Sequence, residues 1–398
     1  MTCINDAKFS SWPRPSNRSS GRVGVLCRDW QPGSYQDSAA RGPSLSSEPS
    51  WAWSSGGVAV LGFGARETLI ASRKASAVAG AAVASSSRRT RPFHSETLGK
   101  YRLLERIGRG RQAEVWRAIG VEGVSGEVAL KVLPATPSGR DPCRRAQLRR
   151  EGERGARLTG PSLLPIFEHG EADGTAFLAM PLVIGCTLAA LIAQRFDDRA
   201  GRDVPETHRL ASVSESFYIR EVVLIMARVA RAAHDAHLGL VVHRDIKPGN
   251  ILVRGDHSAG VYLCDFGLAR DLDVATPRQL RDGAGSPQYM APERLLMRPA
   301  DEVRCDVFAL GVTLCESLTL APPVEVPSGM SRDRWAGFLA VAQPRRPSVV
   351  MPTIPLALEA TILRAIARNP EHRHPSAAAF AEDLERFVAE PPPKPTGR

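Results

Sequence analysis

The chain has 398 residues and a mass of 43.0 kDa, room for one large domain or two ordinary ones. Hydrophobic residues make up 43% and charged residues 24%, which excludes a collagen-like, wholly disordered or disulfide-scaffold protein. The formal charge of +10 is uneven: residues 1–97 hold twelve Lys/Arg against six Asp/Glu, while the other 301 residues hold 40 against 36, so nucleic-acid binding is not expected.

Residues 1–97 carry nineteen Ser, much Gly and Pro, and no sustained helical or strand period. Such a stretch cannot offset an ordering cost of about 1–2 kcal/mol per residue and is expected to be a disordered extension, although it holds Trp12, Trp30, Trp51 and Trp53. The texture changes at Leu98. Tyr101–Ile107, Ala113–Ile119 and Glu127–Leu133 read as strands between Gly-containing turns. Arg144–Leu158 reads as a basic helix ended by Gly160-Pro161. Leu164–Gly170 and Thr175–Val183 read as a strand pair around the turn Ala172-Asp173-Gly174. Helices then dominate: Ser216–Leu238, Arg304–Leu320, Leu356–Arg368 and Ala377–Val388. The charged stretch between Gln194 and Ser216 reads as a surface insertion, and residues 391–398 as a short proline-rich tail. The seven scattered Cys include no C-x-x-C pair, which argues against a zinc ribbon and suits a reducing cytoplasmic setting. No window approaches 18 consecutive apolar residues, so no membrane span is expected, and the first residues lack the basic-then-apolar order of a secretory leader.

The chemistry-bearing residues fall in a fixed order. Gly108 and Gly110 in Ile107-Gly108-Arg109-Gly110-Arg111-Gln112-Ala113-Glu114-Val115 let a strand turn approach phosphates closely. Val128-Ala129-Leu130-Lys131 follows, then His243-Arg244-Asp245-Ile246-Lys247-Pro248-Gly249-Asn250, then Asp265-Phe266-Gly267 and Gly285-Ser286-Pro287-Gln288-Tyr289-Met290-Ala291-Pro292-Glu293. Phosphoryl transfer needs positioning and charge neutralisation more than covalent help. Asp245 can orient a hydroxyl and accept its proton, Lys247 can meet the transferred phosphate, and Asn250 and Asp265 offer hard oxygen ligands for Mg²⁺.

In these motifs the chain resembles the eukaryotic-type (Hanks-type) serine/threonine protein kinases in their bacterial form, over Leu98 to Val388. The resemblance implies an α+β, two-lobed fold, with a small β-rich N-lobe holding one helix (98–183) and a larger, mainly helical C-lobe (184–390). It implies an ATP- and Mg²⁺-dependent enzyme, with Mn²⁺ as an alternative cation, acting on protein substrates; it leaves the oligomeric state unknown. Lys131 matches the strand lysine that grips the α- and β-phosphates. Its partner is expected to be Glu151, with Glu153 as the alternative, pointing about 200° away on the helix. Met180, Pro181 and Val183 match the gatekeeper and hinge; Val115, Ala129 and Leu252 would sandwich adenine, and Cys264 would be a small buried hydrophobe behind it. Glu293 is expected to pair, buried, with Arg373, and Asp306 to brace the catalytic loop. Ala113 departs from the family pattern in the place of a loop glycine. Gly152 and Gly155 depart too, each costing about 1 kcal/mol of helix propensity and suggesting a loosely held Glu151. Thr276, the one hydroxyl between Gly267 and Gly285, is the candidate phosphosite if a loop phosphate binds Arg244; the alternative is that Asp271 or Asp273 already pairs with that arginine.

Overall fold

The computed structural model describes residues 97–109, 113–121, 126–133, 142–202, 208–255, 260–273, 284–327, 330 and 332–389. The proposed disordered extension (but for Thr97), the C-terminal tail and Thr276 lie outside these residues, as do Gly110, Arg111 and Gln112.

The first lobe is an antiparallel sheet in the order β1-β2-β3-β4-β6-β5. Its strands are β1 (Thr97–Leu98), β2 (Tyr101–Arg109), β3 (Glu114–Gly120), β4 (Glu127–Val132), β5 (Glu168–Ala172) and β6 (Thr175–Pro181). The period of two along β4 sets the two faces. Val128, Leu130 and Val132 turn inward onto Leu98, Tyr101 and Phe177, while Ala129 faces the opposite side with Val115 and Ile107. Lys131 shares the Ala129 face, and that face looks into the cleft between the lobes. One long helix, α1 (Pro142–Arg157), crosses this lobe against β5 and β6.

The second lobe is built on α3 (Glu215–Leu238), α5 (Glu302–Thr319) and α9 (Ala377–Ala389), which pack on one another around a single large core. Val222, Met226, Val229, Ala233 and Ala236 give α3 its buried stripe at helical spacing. α5 is buried almost all round, as a helix threading a core must be. It starts on the Asp301 side chain, which accepts from the Arg304 N–H at 3.1 Å. Shorter pieces complete this lobe: β7 (Gly185–Thr187), α2 (Leu188–Arg199), β8 (Val241–Val242), β9 (Ile251–Arg254), β10 (Val261–Leu263), β11 (Arg270–Asp271), α4 (Pro292–Leu295), α6 (Arg332–Val341), α7 (Pro347–Val350) and α8 (Leu356–Ala365). β7 pairs with β9, so the chain has changed lobes by Gly185.

Most expected elements lie within three residues of their observed bounds. Two readings need correction. The strand expected over Leu164–Gly170 begins only at Glu168. Pro165 has no N–H to give a ladder, and Leu163–Leu164 bond instead to Leu263 of the other lobe. The stretch after Gln194 is not a surface insertion throughout. α2 runs on to Arg199, capped at its start by the Thr187 hydroxyl. Gln194 and Arg195 are buried, and Arg195 donates to the carbonyls of Ala211 and Val213 while stacking on Tyr218. Helical periodicity hid behind the charges because a buried arginine that satisfies backbone carbonyls reads, in sequence, as a solvated one.

Candidate active site

The strand lysine, the helix glutamate and the metal-type aspartate converge. Lys131 Nζ donates to Glu151 Oε1 at 2.7 Å, to Glu151 Oε2 at 2.9 Å and to Asp265 Oδ1 at 2.9 Å. Glu153 points away and pairs with Arg149 on the surface. Glu151 is not loosely held: it is 4% exposed and bound through both oxygens. Burial pushes its carboxyl up to about 7, the Lys131 charge offsetting only part of the desolvation. Burial also acts against the Asp265 carboxylate, but there Lys131 wins and holds the group at about 2. The two carboxylates, in turn, keep Lys131 protonated, above its ordinary range.

Glycines at 152 and 155 permit this helix position. A Cβ at Gly152 would lie 2.5 Å from the His169 Cβ, and one at Gly155 would lie 2.3 Å from the Ile166 Cδ1. At Gly152 the helix therefore approaches the neighbouring strand more closely than any larger residue allows, while at Gly155 the outer atoms of the Ile166 side chain fill the space beside the helix.

The catalytic-type loop lies across the cleft. Asp245 Oδ1 accepts from the Ser286 N–H at 3.0 Å, and its Oδ2 lies 3.0 Å from Lys247 Nζ. Lys247 also donates to the Ser286 hydroxyl at 2.8 Å. Asn250 gives its Nδ2 to the Asp245 carbonyl at 2.8 Å, which leaves Oδ1 as the atom a cation can take. Two residues here hold left-handed backbone without being glycine, Arg244 at φ 69° and Asp265 at φ 68°, a strain of about 1–3 kcal/mol each. The surroundings enforce it. Asp306 accepts from the backbone N–H of His243 at 2.8 Å and of Arg244 at 2.9 Å, and from His237 Nε2 at 2.9 Å. His237 and these N–H groups hold the Asp306 carboxyl below its ordinary value despite full burial. The His243 ring packs on Phe266 at 4.7 Å between centroids. Arg373 donates to both oxygens of Glu293 at 2.7 and 2.9 Å.

Above the loop, Ile107, Val115, Ala129, Val183, Leu252 and Cys264 form one apolar cluster, with Met180 packed at its edge. It also contains Leu164 and Tyr262, which sequence reasoning missed because neither sits in a motif. Ala113 is buried and Glu114 carries an ion pair with Arg106, so the described part of the loop arm is anchored to β2. Burial pushes the Cys264 thiol far up, as for an inert small hydrophobe. Asp271 does not pair with Arg244. Its partners are Arg154 and Arg157 of α1, while Arg244 Nε donates to Glu302 at 3.1 Å.

The donor set fits a hard divalent cation shared with phosphate oxygens. Asp265 and Asn250 would offer it carboxylate and amide oxygens, and no cluster of three or more His, Cys, Asp or Glu among the described residues forms a cage of its own.

Residues 101–377 match the model of the protein kinase domain. The chain belongs to the protein kinase family. Its lobes and motifs are those of the bacterial, Hanks-type members. This kinase domain is 37% identical over 278 residues to the serine/threonine-protein kinase PknE of Mycobacterium tuberculosis, covering 69% of this chain and 44% of that protein. It is 35% identical over 301 residues to the serine/threonine-protein kinase PknH of Mycobacterium bovis, covering 74% and 45%. The chain thus spans less than half the length of these curated relatives. Among solved structures it is similar to the PknI kinase domain of M. tuberculosis, with 28% identity and a TM-score of 0.52, covering 73% of this chain and 97% of that one. The family uses ATP and a divalent metal. No helix among the described residues is long and apolar enough to cross a membrane.

Proposed function

We propose that the chain is a serine/threonine protein kinase that transfers the γ-phosphate of ATP to Ser and Thr hydroxyls of protein substrates, with Mg²⁺ as the working cation, and that it phosphorylates itself. The observation that supports this reading most is the convergence of Lys131, Glu151 and Asp265 opposite an Asp245 held by Lys247 and Ser286. Lys131 grips the α- and β-phosphates while Glu151 fixes its direction. Asp245 orients the substrate hydroxyl and takes its proton as the new O–P bond forms and the bond from the γ-phosphorus to the ADP oxygen breaks. Lys247 meets the charge on the transferred group. Asp265 and Asn250 would hold the cation, which would supply positive charge against the phosphates. Ile107 to Val115 cover the phosphates, Val115, Ala129 and Leu252 enclose adenine, and the backbone of Pro181 and Val183 reads its edge.

The same reading sets the kinase domain at 98–390, between an extension at 1–97 and a tail at 391–398, and places it in the reducing cytoplasm, where the buried thiols at 186, 264, 305 and 315 persist. Glu293 with Arg373, and Asp306, serve structure. Thr276 is its candidate phosphosite; mass spectrometry of active enzyme and the rate of Thr276→Ala test it, and a fully active, unphosphorylated wild type refutes it. The catalytic assignment is tested with ATP, Mg²⁺, a basic protein substrate and phosphoamino-acid analysis. Asp245→Asn is expected to fold and to lose transfer. Near-normal transfer by that variant, in a preparation free of other kinases, overturns the reading.

A further inference from the structure

We propose that Asp271 is a positioning residue: it fastens α1, and with it Glu151, to the strand pair beside the catalytic loop. The proposal rests on the phosphotransfer reading above.

α1 has little apolar grip of its own. Its buried positions are Leu148, Glu151, Gly152, Arg154 and Gly155, which include a single large hydrophobic side chain. The helix is held instead by polar anchors placed along one face. Gln147 Nε2 donates to the Gly267 carbonyl at 3.0 Å. Glu151 takes Lys131, and three residues on, on the same face, Arg154 Nε donates to Asp271 Oδ2 at 2.8 Å. Arg157 reaches the other Asp271 oxygen from the next position along that face. Asp271 is itself fixed. It lies in β11, in register with Val241 of β8, and β8 runs directly into His243-Arg244-Asp245. One carboxylate therefore joins the helix that aligns Lys131 to the chain that carries Asp245.

The Arg154 side chain is 9% exposed. Without Asp271 its guanidinium is a buried charge lacking its carboxylate, a condition that a protein relieves by moving the charge toward water. Here that movement is a swing of α1 away from β11, which carries Glu151 off Lys131. Removing both partners is the milder change, because no orphaned charge remains.

The test pairs hydrogen exchange with kinetics in wild type, Asp271→Asn, Arg154→Met and the double variant. In Asp271→Asn the amides of 142–157 should exchange at least tenfold faster while those of α9 stay protected, and kcat/KM for ATP should fall at least tenfold. The double variant should recover part of both losses, which a merely damaged fold would not. Unchanged α1 protection in Asp271→Asn overturns the proposal, and so does faster exchange at full kcat/KM. If Asp271→Asn shows this exchange pattern but the wild type transfers no phosphate, the phosphotransfer reading fails and the fastening stands.

Discussion

Replacing Gly152 by Ala sets two opposed effects against each other. An alanine in a helix interior is worth about 1 kcal/mol over glycine. The new Cβ, however, would lie 2.5 Å from the His169 Cβ and 2.6 Å from its Cγ. His169 sits in β5, in register with Leu178, so its Cβ moves only if the strand moves. Ordinary contact needs 3.4 Å or more, so helix and strand must part by about 1 Å. Overpacking of this kind costs about 1–3 kcal/mol, leaving a net loss of about 1 kcal/mol, or about 2–4 °C in Tm. Turnover should suffer more than stability. Glu151 is the next residue, its 2.7 Å bond to Lys131 moves with the helix, and a misplacement of this size costs about 10- to 100-fold. Gly155→Ala is the control. Its Cβ would meet the Ile166 Cδ1 at 2.3 Å and Cγ1 at 2.7 Å but the Ile166 Cβ only at 3.4 Å, so a turn of that side chain, not a shift of the backbone, relieves the clash, and Tm should fall less than in Gly152→Ala. Calorimetry and kcat/KM for ATP check both variants. A Gly152→Ala protein with wild-type Tm and turnover, or a Gly155→Ala protein that is the worse of the two, refutes the argument.

Other variants address the remaining parts. Glu293→Gln leaves the fully buried Arg373 guanidinium short of its counter-charge, and breaking a buried pair costs about 3–5 kcal/mol; thermal melts should show a drop of about 10 °C. Asp265→Ala should abolish Mg²⁺-dependent transfer while the chain still folds, as titration of rate against Mg²⁺ would reveal. With the Glu151 carboxyl at about 7, its charge is lost as pH falls through that value, so kcat/KM for ATP should decline below about pH 7 and Glu151→Gln should be slow and flat across the same range. The stability sign is opposite. A carboxyl raised from 4.5 in the folded state contributes stability that is full below 4.5 and is lost as pH rises through about 7, so Glu151→Gln should gain in Tm, relative to wild type, more at pH 8 than at pH 5.

Much of this site is legible in the sequence. Lys131, Asp245, Lys247, Asn250 and Asp265 sit in short motifs whose residue types follow from the chemistry of a charged, transferred phosphoryl group, and local spacing fixes their order. The strands around Tyr101–Ile107, Ala113–Ile119 and Glu127–Leu133 read correctly because β-branched and apolar residues alternate between turns. That Glu151 and Glu153 could not both face Lys131 was legible too, since a helix sends residues two apart to different faces; the choice of Glu151 came from the family resemblance, and the packing of α1 brings that residue to Lys131. The tertiary structure alone decided what depends on distant chain segments. Gly152 and Gly155 look like weaknesses in a helix until His169 and Ile166 are placed against them. Arg195 looks solvated until the carbonyls of Ala211 and Val213 surround it. Asp271 looks free to meet the nearby Arg244, yet β11 aims it at α1 while Glu302, from the start of α5, takes Arg244. Ion pairs between residues 58 or 117 positions apart carry no local signature, because which charges meet is set by how the elements pack.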